Sequence, residues 1–303
     1  MPLFRASCYN SSTLVASCHG KEGIDRIYIQ GKGKAVAMEN EQVLILTSAG
    51  RRRVKDHLLA AVQGAFGELA QAILLKGSLH KGDFIPYFSD LDIHVFIQSP
   101  AMQGPMTPKL SYCLEFQARF GDLDPEEFGV SQFQVYFLDP DNYPGNWTPP
   151  LPGTYEVLWG NYEPVMVPSW DVLSGNAHSF LQDIPRQLDN LMHRFIDKPN
   201  NQIAGLVRLL GVYLKPAAYE TATLLGYDPV KIWTKPLPKI LKIVEPVLDD
   251  NSWSLFYQGV QPWQEVRTQP DLLRKLFGIG VSGLEHLVQL YATFEWGKES
   301  LTR

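Results

Sequence analysis

The sequence contains little cysteine and no long apolar run. Its three cysteines are Cys8, Cys18 and Cys113, among 303 residues. Their odd number and their spacing argue against a disulfide framework and against a zinc site, and they indicate a reducing compartment. No apolar run reaches the roughly 18 residues of a membrane-spanning helix. The N-terminal segment, with one early arginine and short apolar patches, is a poor secretory signal. We therefore expect a cytoplasmic protein without membrane association.

An excess of basic residues is also missing. Lysine and arginine together number 27, aspartate and glutamate number 32, and the formal net charge is -5. Proteins that bind nucleic acid along a groove normally carry a basic stripe. The composition therefore argues against nucleic acid as a partner and favours a small-molecule ligand. Hydrophobic residues make up 45% of the chain, which is enough for two domain cores.

The stretch from Ile73 to Ile97, ILLKGSLHKGDFIPYFSDLDIHVFI, carries the clearest functional pattern. Two apolar segments flank a polar loop, which predicts two strands joined by that loop. Asp90 and Asp92 open the second strand, and because strand side chains alternate, their carboxylates face the same way and can share a cation. Gly77 and Ser78 end the first strand. Glycine lets the backbone N–H groups approach a phosphate closely, and the serine hydroxyl can donate a hydrogen bond to its oxygens. Since Mg2+ binds one or two carboxylates together with phosphates, the pattern predicts a site for a metal-bound nucleoside triphosphate.

These residues resemble a known signature. Gly77-Ser78, a loop with Gly82, and Ser89-Asp90-Leu91-Asp92 followed by apolar residues are similar to the nucleotidyltransferase signature of the DNA polymerase beta superfamily. Within that superfamily, the amino-acid sequence of this stretch is most similar to the aminoglycoside nucleotidyltransferases and their bacterial relatives. The resemblance implies an α+β fold: a small mixed β-sheet nucleotidyltransferase domain with flanking helices, followed by an all-helical C-terminal domain. It implies transfer of a nucleoside monophosphate from an NTP, in the first place ATP, to a hydroxyl of a small acceptor such as an aminoglycoside-like antibiotic, with release of pyrophosphate.

The resemblance also implies roles for individual residues. Asp90 and Asp92 would be catalytic and would hold Mg2+. The nucleotide-binding residues would be Gly77, Ser78, Lys81 and Ser89, with Lys81 at a position where relatives often have arginine. A carboxylate in the helical domain, such as Glu220, is a candidate for the base that activates the acceptor hydroxyl.

One position departs from the family pattern. The third strand of the family usually carries a third carboxylate, and the matching position here is Gln134, which is neutral. A glutamine can donate or accept a hydrogen bond, but it adds no charge for a second Mg2+ and takes no proton. Three alternatives stay open: an acid from elsewhere, such as Asp139 or Glu156, a site with a single metal, or a catalytically impaired protein that binds a nucleotide or a partner.

Composition and periodicity predict three regions: a poorly ordered N-terminal extension over 1–42, a mixed region of strands and helices over 43–170, and a helical region over 171–303. The resemblance implies that the second region is the nucleotidyltransferase domain and the third a substrate-side domain. The first of the two domains should contain a helix capped by Thr47 or Ser48 that ends near Leu69, a helix from about Lys109 to Phe120, and strands over Gln132–Leu138 and Thr154–Trp159. The second should contain helices over about Ala177–Ile196 with a possible kink at Pro185, Gln202–Leu214 with a possible continuation across Pro216, Ile240–Val247, and Pro270–Trp296.

The last of these helices contains Gly278, Gly280 and Gly283, which match the GxGxxG fingerprint of dinucleotide-binding folds. That fingerprint requires a preceding strand and a βαβ unit. The residues before Gly278 have helical spacing, so we expect close helix packing or a kink at these glycines.

Overall fold

The computed structural model describes residues 43–144, 147–162 and 168–293, together with two short strands nearer the N-terminus. These strands, β1 (Leu14–Val15) and β2 (Tyr28–Ile29), pair antiparallel within a unit that comprises Met1–Gln42. The prediction that this segment is poorly ordered concerns residues that are otherwise outside the described ones. The chain from Val43 onward forms a second compact unit.

The first half of the second unit contains a four-stranded sheet. Its elements are α1 (Ser48–Phe66), β3 (Ala70–Lys76), the short α2 (Ser78–Lys81), β4 (Leu91–Ile97), the hairpin β5 (Met102–Gly104) and β6 (Thr107–Pro108), α3 (Leu110–Phe120), β7 (Phe133–Leu138) and β8 (Tyr155–Gly160). The strand order is β7-β4-β3-β8. Strand β3 is antiparallel to both β4 and β8, whereas β4 and β7 are parallel. The two strands and the loop predicted between Ile73 and Ile97 are confirmed.

The two faces of this sheet differ because strand side chains alternate. One face, with Ile73, Ile93 and Val95, is buried in an apolar core that also takes in α1 and residues of α3. The N-terminus of α1 begins as predicted, with the Thr47 hydroxyl accepting a hydrogen bond from the Gly50 N–H at 2.9 Å. The other face carries Asp92 at the same end of the sheet as Gly77, so the polar residues of the signature lie away from the core.

The second half is helical. Its elements are α4 (Trp170–Ile196), α5 (Ile203–Leu224), α6 (Pro229–Ile232), α7 (Leu237–Leu248), α8 (Ser252–Gly259), α9 (Trp263–Val266) and α10 (Pro270–Thr293). Pro185 and Pro216 lie inside α4 and α5 without ending them, so the predicted continuation across Pro216 is confirmed. The described residues after Trp170 form no strand. The chain is therefore a mixed α+β protein with a small mixed sheet and a helical C-terminal region. None of its described helices is both long and apolar enough to cross a membrane.

The GxGxxG sequence lies within α10 and serves helix packing, as predicted. A Cβ atom added to Gly280 would lie 2.5 Å from the Leu210 side chain, and one added to Gly283 would lie 2.2 Å from the Trp253 ring. Such distances are shorter than any van der Waals contact, so glycine is needed for the approach of α5 and α8 to this helix. The surrounding helices leave no βαβ unit for a dinucleotide.

A buried carboxylate connects the two halves. Asp83 follows α2, and its side chain is 1% exposed. It accepts hydrogen bonds from the Lys215 ammonium at 3.0 Å and from the Leu237 N–H at 2.9 Å. Asp83 therefore fixes the loop after Gly77 and Ser78 against α5 and the start of α7.

We expect Asp83→Asn to lower the free energy of unfolding by about 3 kcal/mol, because it leaves the half-buried Lys215 ammonium without its anion. Asp197→Asn is the matched control, since Asp197 is 74% exposed and lies 3.8 Å from Lys198; such surface pairs contribute about 0.5 kcal/mol or less. Urea unfolding followed by circular dichroism measures both. Equal losses in the two variants would show that Asp83 does not join the two halves.

Candidate functional site

The strand register brings the signature residues together. Lys76 on β3 is paired with Asp92 on β4, and Asp92 is paired with Gln134 on β7. Gly77 follows Lys76 directly, with φ of 80°, and a Cβ atom added to it would lie 1.9 Å from the Asp92 Oδ2 atom. The glycine–serine bend and the second aspartate therefore meet at one end of the sheet. The structure also gives Gly77 a role beyond its predicted phosphate contact, because only glycine leaves room for this carboxylate.

Asp90 is almost buried and is surrounded by donors. Its side chain is 10% exposed. Oδ1 accepts from the Arg208 guanidinium at 2.5 Å and from the Ser131 hydroxyl, and Oδ2 accepts from Gln132 Nε2 at 3.1 Å. Arg208 lies on α5, so the helical half reaches the sheet at the first of the two predicted metal ligands.

Gln134 joins the two aspartates. In the amide orientation that satisfies both of its ends, Nε2 donates to Asp90 Oδ2 at 3.3 Å and to Asp92 Oδ1 at 3.2 Å, while Oε1 accepts from the Tyr136 hydroxyl. The opposite orientation would direct the amide oxygen at two carboxylates. The residue at the position predicted for a third acid is therefore a neutral donor between the other two. Gln134 is the residue of β7 that pairs with Asp92 in the strand register.

Three lysines interact with Asp92. Lys76, Lys81 and Lys215 each interact electrostatically with its carboxylate. Burial, followed by the neighbouring Asp90, raises the pKa of Asp92, while the lysines act in the opposite direction. Burial lowers the pKa of Lys76 to about 8, although Asp92 raises it. A group of partly desolvated cations around one carboxylate has capacity for an additional anion.

Lys81, the lysine predicted to bind nucleotide, packs against aromatic rings of the helical half. Its Nζ atom lies 4.1 Å from the centroid of the Tyr219 ring and 5.2 Å from that of Trp233. Cation–π contacts of this kind stabilise the ammonium. Burial nevertheless lowers the pKa of Lys81 to about 7, and Lys215 lowers it further, whereas Asp83 raises it.

This pKa predicts a pH dependence of stability. Between pH of about 7 and the ordinary lysine pKa of about 10.4, the unfolded chain binds a proton at residue 81 that the folded chain does not. Stability should therefore rise with pH in this window through Lys81. The thermal unfolding midpoint of the wild type should rise more steeply from pH 8 to about 10 than that of Lys81→Met. Lys239→Met, at an exposed position, should keep the wild-type slope. Equal pH slopes of the unfolding midpoint in all three proteins would contradict the lowered pKa of Lys81.

The two predicted serines are differently placed. Ser78 is 6% exposed and is the first residue of α2. The Ser89 hydroxyl accepts a hydrogen bond from the Ile85 N–H at 2.9 Å, so it stabilises the loop before Asp90. Both residues lie on segments that adjoin the aspartates, and their roles in nucleotide binding stay predictions.

The suggested alternative acids do not lie beside Asp92. Asp139 follows the far end of β7 and accepts from the Ser99 hydroxyl and the Asp141 N–H. Glu156 is paired with Leu75, so it belongs to the opposite face of the sheet. Burial raises the pKa of Glu220 to about 8. The role of Glu220 as the base for the acceptor hydroxyl stays a prediction.

Sequence reasoning missed several residues of this site. Lys76 had a local signal, since it interrupts an apolar strand directly before Gly77. Arg208 and Lys215 had none, because they lie 118 and 132 residues from their partners Asp90 and Asp83. The same is true of Ser131, whose hydroxyl bonds Asp90 across strand ends.

The carboxylates of Asp90 and Asp92 are ligands of the type that Mg2+ prefers, but their arrangement provides only part of a metal site. Among the described residues, no group of three or more acidic, histidine or cysteine side chains could hold a metal ion. Two carboxylates suffice for Mg2+ when the substrate supplies phosphate oxygens. Asp90, however, already accepts from Arg208, so a cation shared by the two aspartates would lie close to the guanidinium.

A scan against protein-family models found none that matches this chain, and a search of curated proteins also gave no match. The resemblance to nucleotidyltransferases therefore rests on the signature residues and on their placement.

Proposed function

We propose that the protein is a nucleotidyltransferase that moves a nucleoside monophosphate from an NTP, in the first place ATP, to a hydroxyl of a small acceptor and releases pyrophosphate. The observation that carries this proposal is the contact of Asp92 with Gly77, beside Asp90 and three lysines. Together these residues form a glycine–serine bend, a pair of carboxylates and a group of buried cations at one end of a sheet, which supports a site for a metal-bound triphosphate. The finer fold assignment, a nucleotidyltransferase domain followed by a substrate-side helical domain, and a cytoplasmic location belong to the same proposal.

The chain's own cations would hold the triphosphate. Lys76, Lys81 and Lys215 lie on β3, α2 and α5, and Lys81 is close enough to interact electrostatically with the other two, so a phosphate chain bound beside Asp92 would meet cations from three elements. Burial strengthens the interaction of each ammonium with an anion, because little water screens it. The Ser78 hydroxyl is a further donor at the bend. Such fixed donors orient the phosphorus for in-line attack and stabilise the charge that develops on the leaving pyrophosphate.

Mg2+ belongs to the proposal as a cation held by Asp92 and, once Arg208 has left it, by Asp90. When bound, it would neutralise the triphosphate and align the attacking and leaving oxygens. Gln134 adds no charge, so the described residues favour one metal ion over two.

The charges of the site favour a neutral acceptor over a polycationic one. An aminoglycoside would require a cleft with free carboxylates. The described carboxylates of the site have cationic partners: Asp83 pairs with Lys215, Asp90 pairs with Arg208, and Asp92 lies among lysines. A neutral acceptor would not be repelled by these cations, and an anionic one would be attracted by them.

The second candidate function is binding of a nucleotide without transfer. Gln134 in place of a third acid and the guanidinium on Asp90 favour it, because both reduce the capacity for metal catalysis. Partner binding through the same site is a variant of this candidate.

Calorimetry and pyrophosphate release separate these functions. We expect ATP with Mg2+ to bind with a dissociation constant in the micromolar to millimolar range. Pyrophosphate release with a panel of neutral hydroxyl compounds and aminoglycosides, lost in Asp90→Ala and Asp92→Ala, would establish transfer. ATP binding without release for any acceptor would favour the binding protein, and absence of ATP binding would refute both.

A further inference from the structure

Arg208 makes the principal described polar contacts between α5 and the ends of the sheet strands. Its guanidinium donates to Asp90 at 2.5 Å, to the Ser131 hydroxyl at 3.2 Å and to Gln132 Oε1 at 3.3 Å. The Arg208 side chain is 25% exposed and that of Asp90 is 10% exposed. The pair is therefore largely shielded from water, where a charge-assisted hydrogen bond is strong.

The acceptor capacity of Asp90 is fully used in this arrangement. An ionised carboxylate offers about four lone-pair positions. Arg208 and Ser131 donate to Oδ1, and Gln132 and Gln134 donate to Oδ2. A divalent cation bound by Asp90 would lie close to the guanidinium and repel it. Arg208 and the cation therefore compete for the same carboxylate.

A guanidinium released from Asp90 needs another anion, because an unpaired cation in a partly desolvated position is costly. The proposed triphosphate would lie within the group of Asp90, Asp92 and the lysines, and phosphate accepts the planar guanidinium in a bidentate manner. If Arg208 exchanged Asp90 for a phosphate while the cation bound Asp90, both the guanidinium and the carboxylate would keep a partner of opposite charge.

We propose that Arg208 is a phosphate-binding residue that rests on Asp90 in the absence of ligand and transfers to the triphosphate when the metal-bound nucleotide enters. This inference rests on the proposed nucleotide site and adds an order of events to it. The cation binds Asp90 while Arg208 binds the phosphate. Free metal should therefore bind weakly, and metal together with nucleotide should bind more tightly.

The test compares Mn2+ alone, followed by electron paramagnetic resonance, with ATP and Mg2+, followed by calorimetry. Arg208→Gln should bind Mn2+ about tenfold more tightly, because its competitor is gone, and should bind ATP with Mg2+ about tenfold more weakly. A purely structural role would shift both affinities in the same direction. Arg186→Gln, at an exposed position of α4, should change neither affinity.

Arg208→Lys keeps the charge but not the planar fork, so smaller shifts of the same opposite signs are expected. It also carries the test if circular dichroism shows that Arg208→Gln does not fold. Unchanged Mn2+ affinity in the folded variants would overturn the competition, and unchanged ATP affinity would overturn the exchange of partners. A wild-type chain that binds no ATP would refute the proposed function as well, whereas ATP binding that is insensitive to residue 208 overturns this inference alone.

Discussion

Asp92→Asn should lower the rate of pyrophosphate release on the order of a hundredfold or more, while the folded protein becomes no less stable. The variant keeps the shape of the side chain against Gly77 but removes the charge that would hold the cation of the nucleotide. Loss of such an electrostatic contact lowers turnover on the order of a hundredfold or more. Stability responds in the other direction, since burial and Asp90 raise the pKa of Asp92 and so disfavour its ionised form in the folded chain.

The sign of this stability effect depends on pH. A carboxyl group whose folded pKa is raised destabilises the protein above its ordinary pKa of about 4 and has no such effect below it. The unfolding midpoint of Asp92→Asn should therefore equal or exceed that of the wild type at pH 7, and the gain should vanish as the pH falls toward about 4. Asp122→Asn, at an exposed position, should change neither turnover nor the midpoint. A variant that releases pyrophosphate at the wild-type rate would refute the role of Asp92.

Gly77→Ala should disrupt both the fold and nucleotide binding. The added Cβ would lie 1.9 Å from Asp92 Oδ2, and the backbone at φ of 80° and ψ of -153° is in a region that residues other than glycine rarely adopt. Strain of this kind costs about 1 to 3 kcal/mol, before the displacement of Asp92 is considered. We expect a lower unfolding midpoint and an ATP affinity reduced by at least tenfold, because Asp92 must move away from the bend.

Gly82→Ala provides the matched control on the same loop. Gly82 also has positive φ, of 78°, but a Cβ atom added there meets no atom within 4 Å. This variant should lose about 1 kcal/mol of stability through backbone strain alone and should retain ATP binding. Thermal unfolding and calorimetry of the two variants separate strain from the contact with Asp92. Equal ATP affinities of Gly77→Ala and Gly82→Ala would contradict the proposed geometry.

Local patterns predicted the parts of the site that lie on neighbouring strands. The alternation of side chains indicated that Asp90 and Asp92 share a face, and the two apolar segments indicated two strands joined by a loop. The family resemblance, and not a local pattern, pointed to Gln134 as the position of the third acid. The strand register pairs it with Asp92, and its bridging hydrogen bonds required the side-chain geometry. The helical spacing around Gly278 likewise identified the GxGxxG sequence as part of a packed helix.

The helix boundaries show where the patterns were less informative. The helix predicted from about Ala177 begins at Trp170 in the structure, where Ser169 accepts a hydrogen bond from the Val172 N–H. Pro216 lies within α5, whose burial against neighbouring helices outweighs the loss of one hydrogen bond.

The sequence alone determined the strands, the bend at Gly77 and the shared face of two aspartates, because these features depend on residues that are close along the chain. Only the tertiary structure brought Arg208 to Asp90 and Lys215 to Asp83, over 118 and 132 residues. Such contacts depend on how α5 packs against the sheet, and no local periodicity encodes that packing. The charges around the predicted metal ligands, and therefore what the site can bind, are consequently set by the fold.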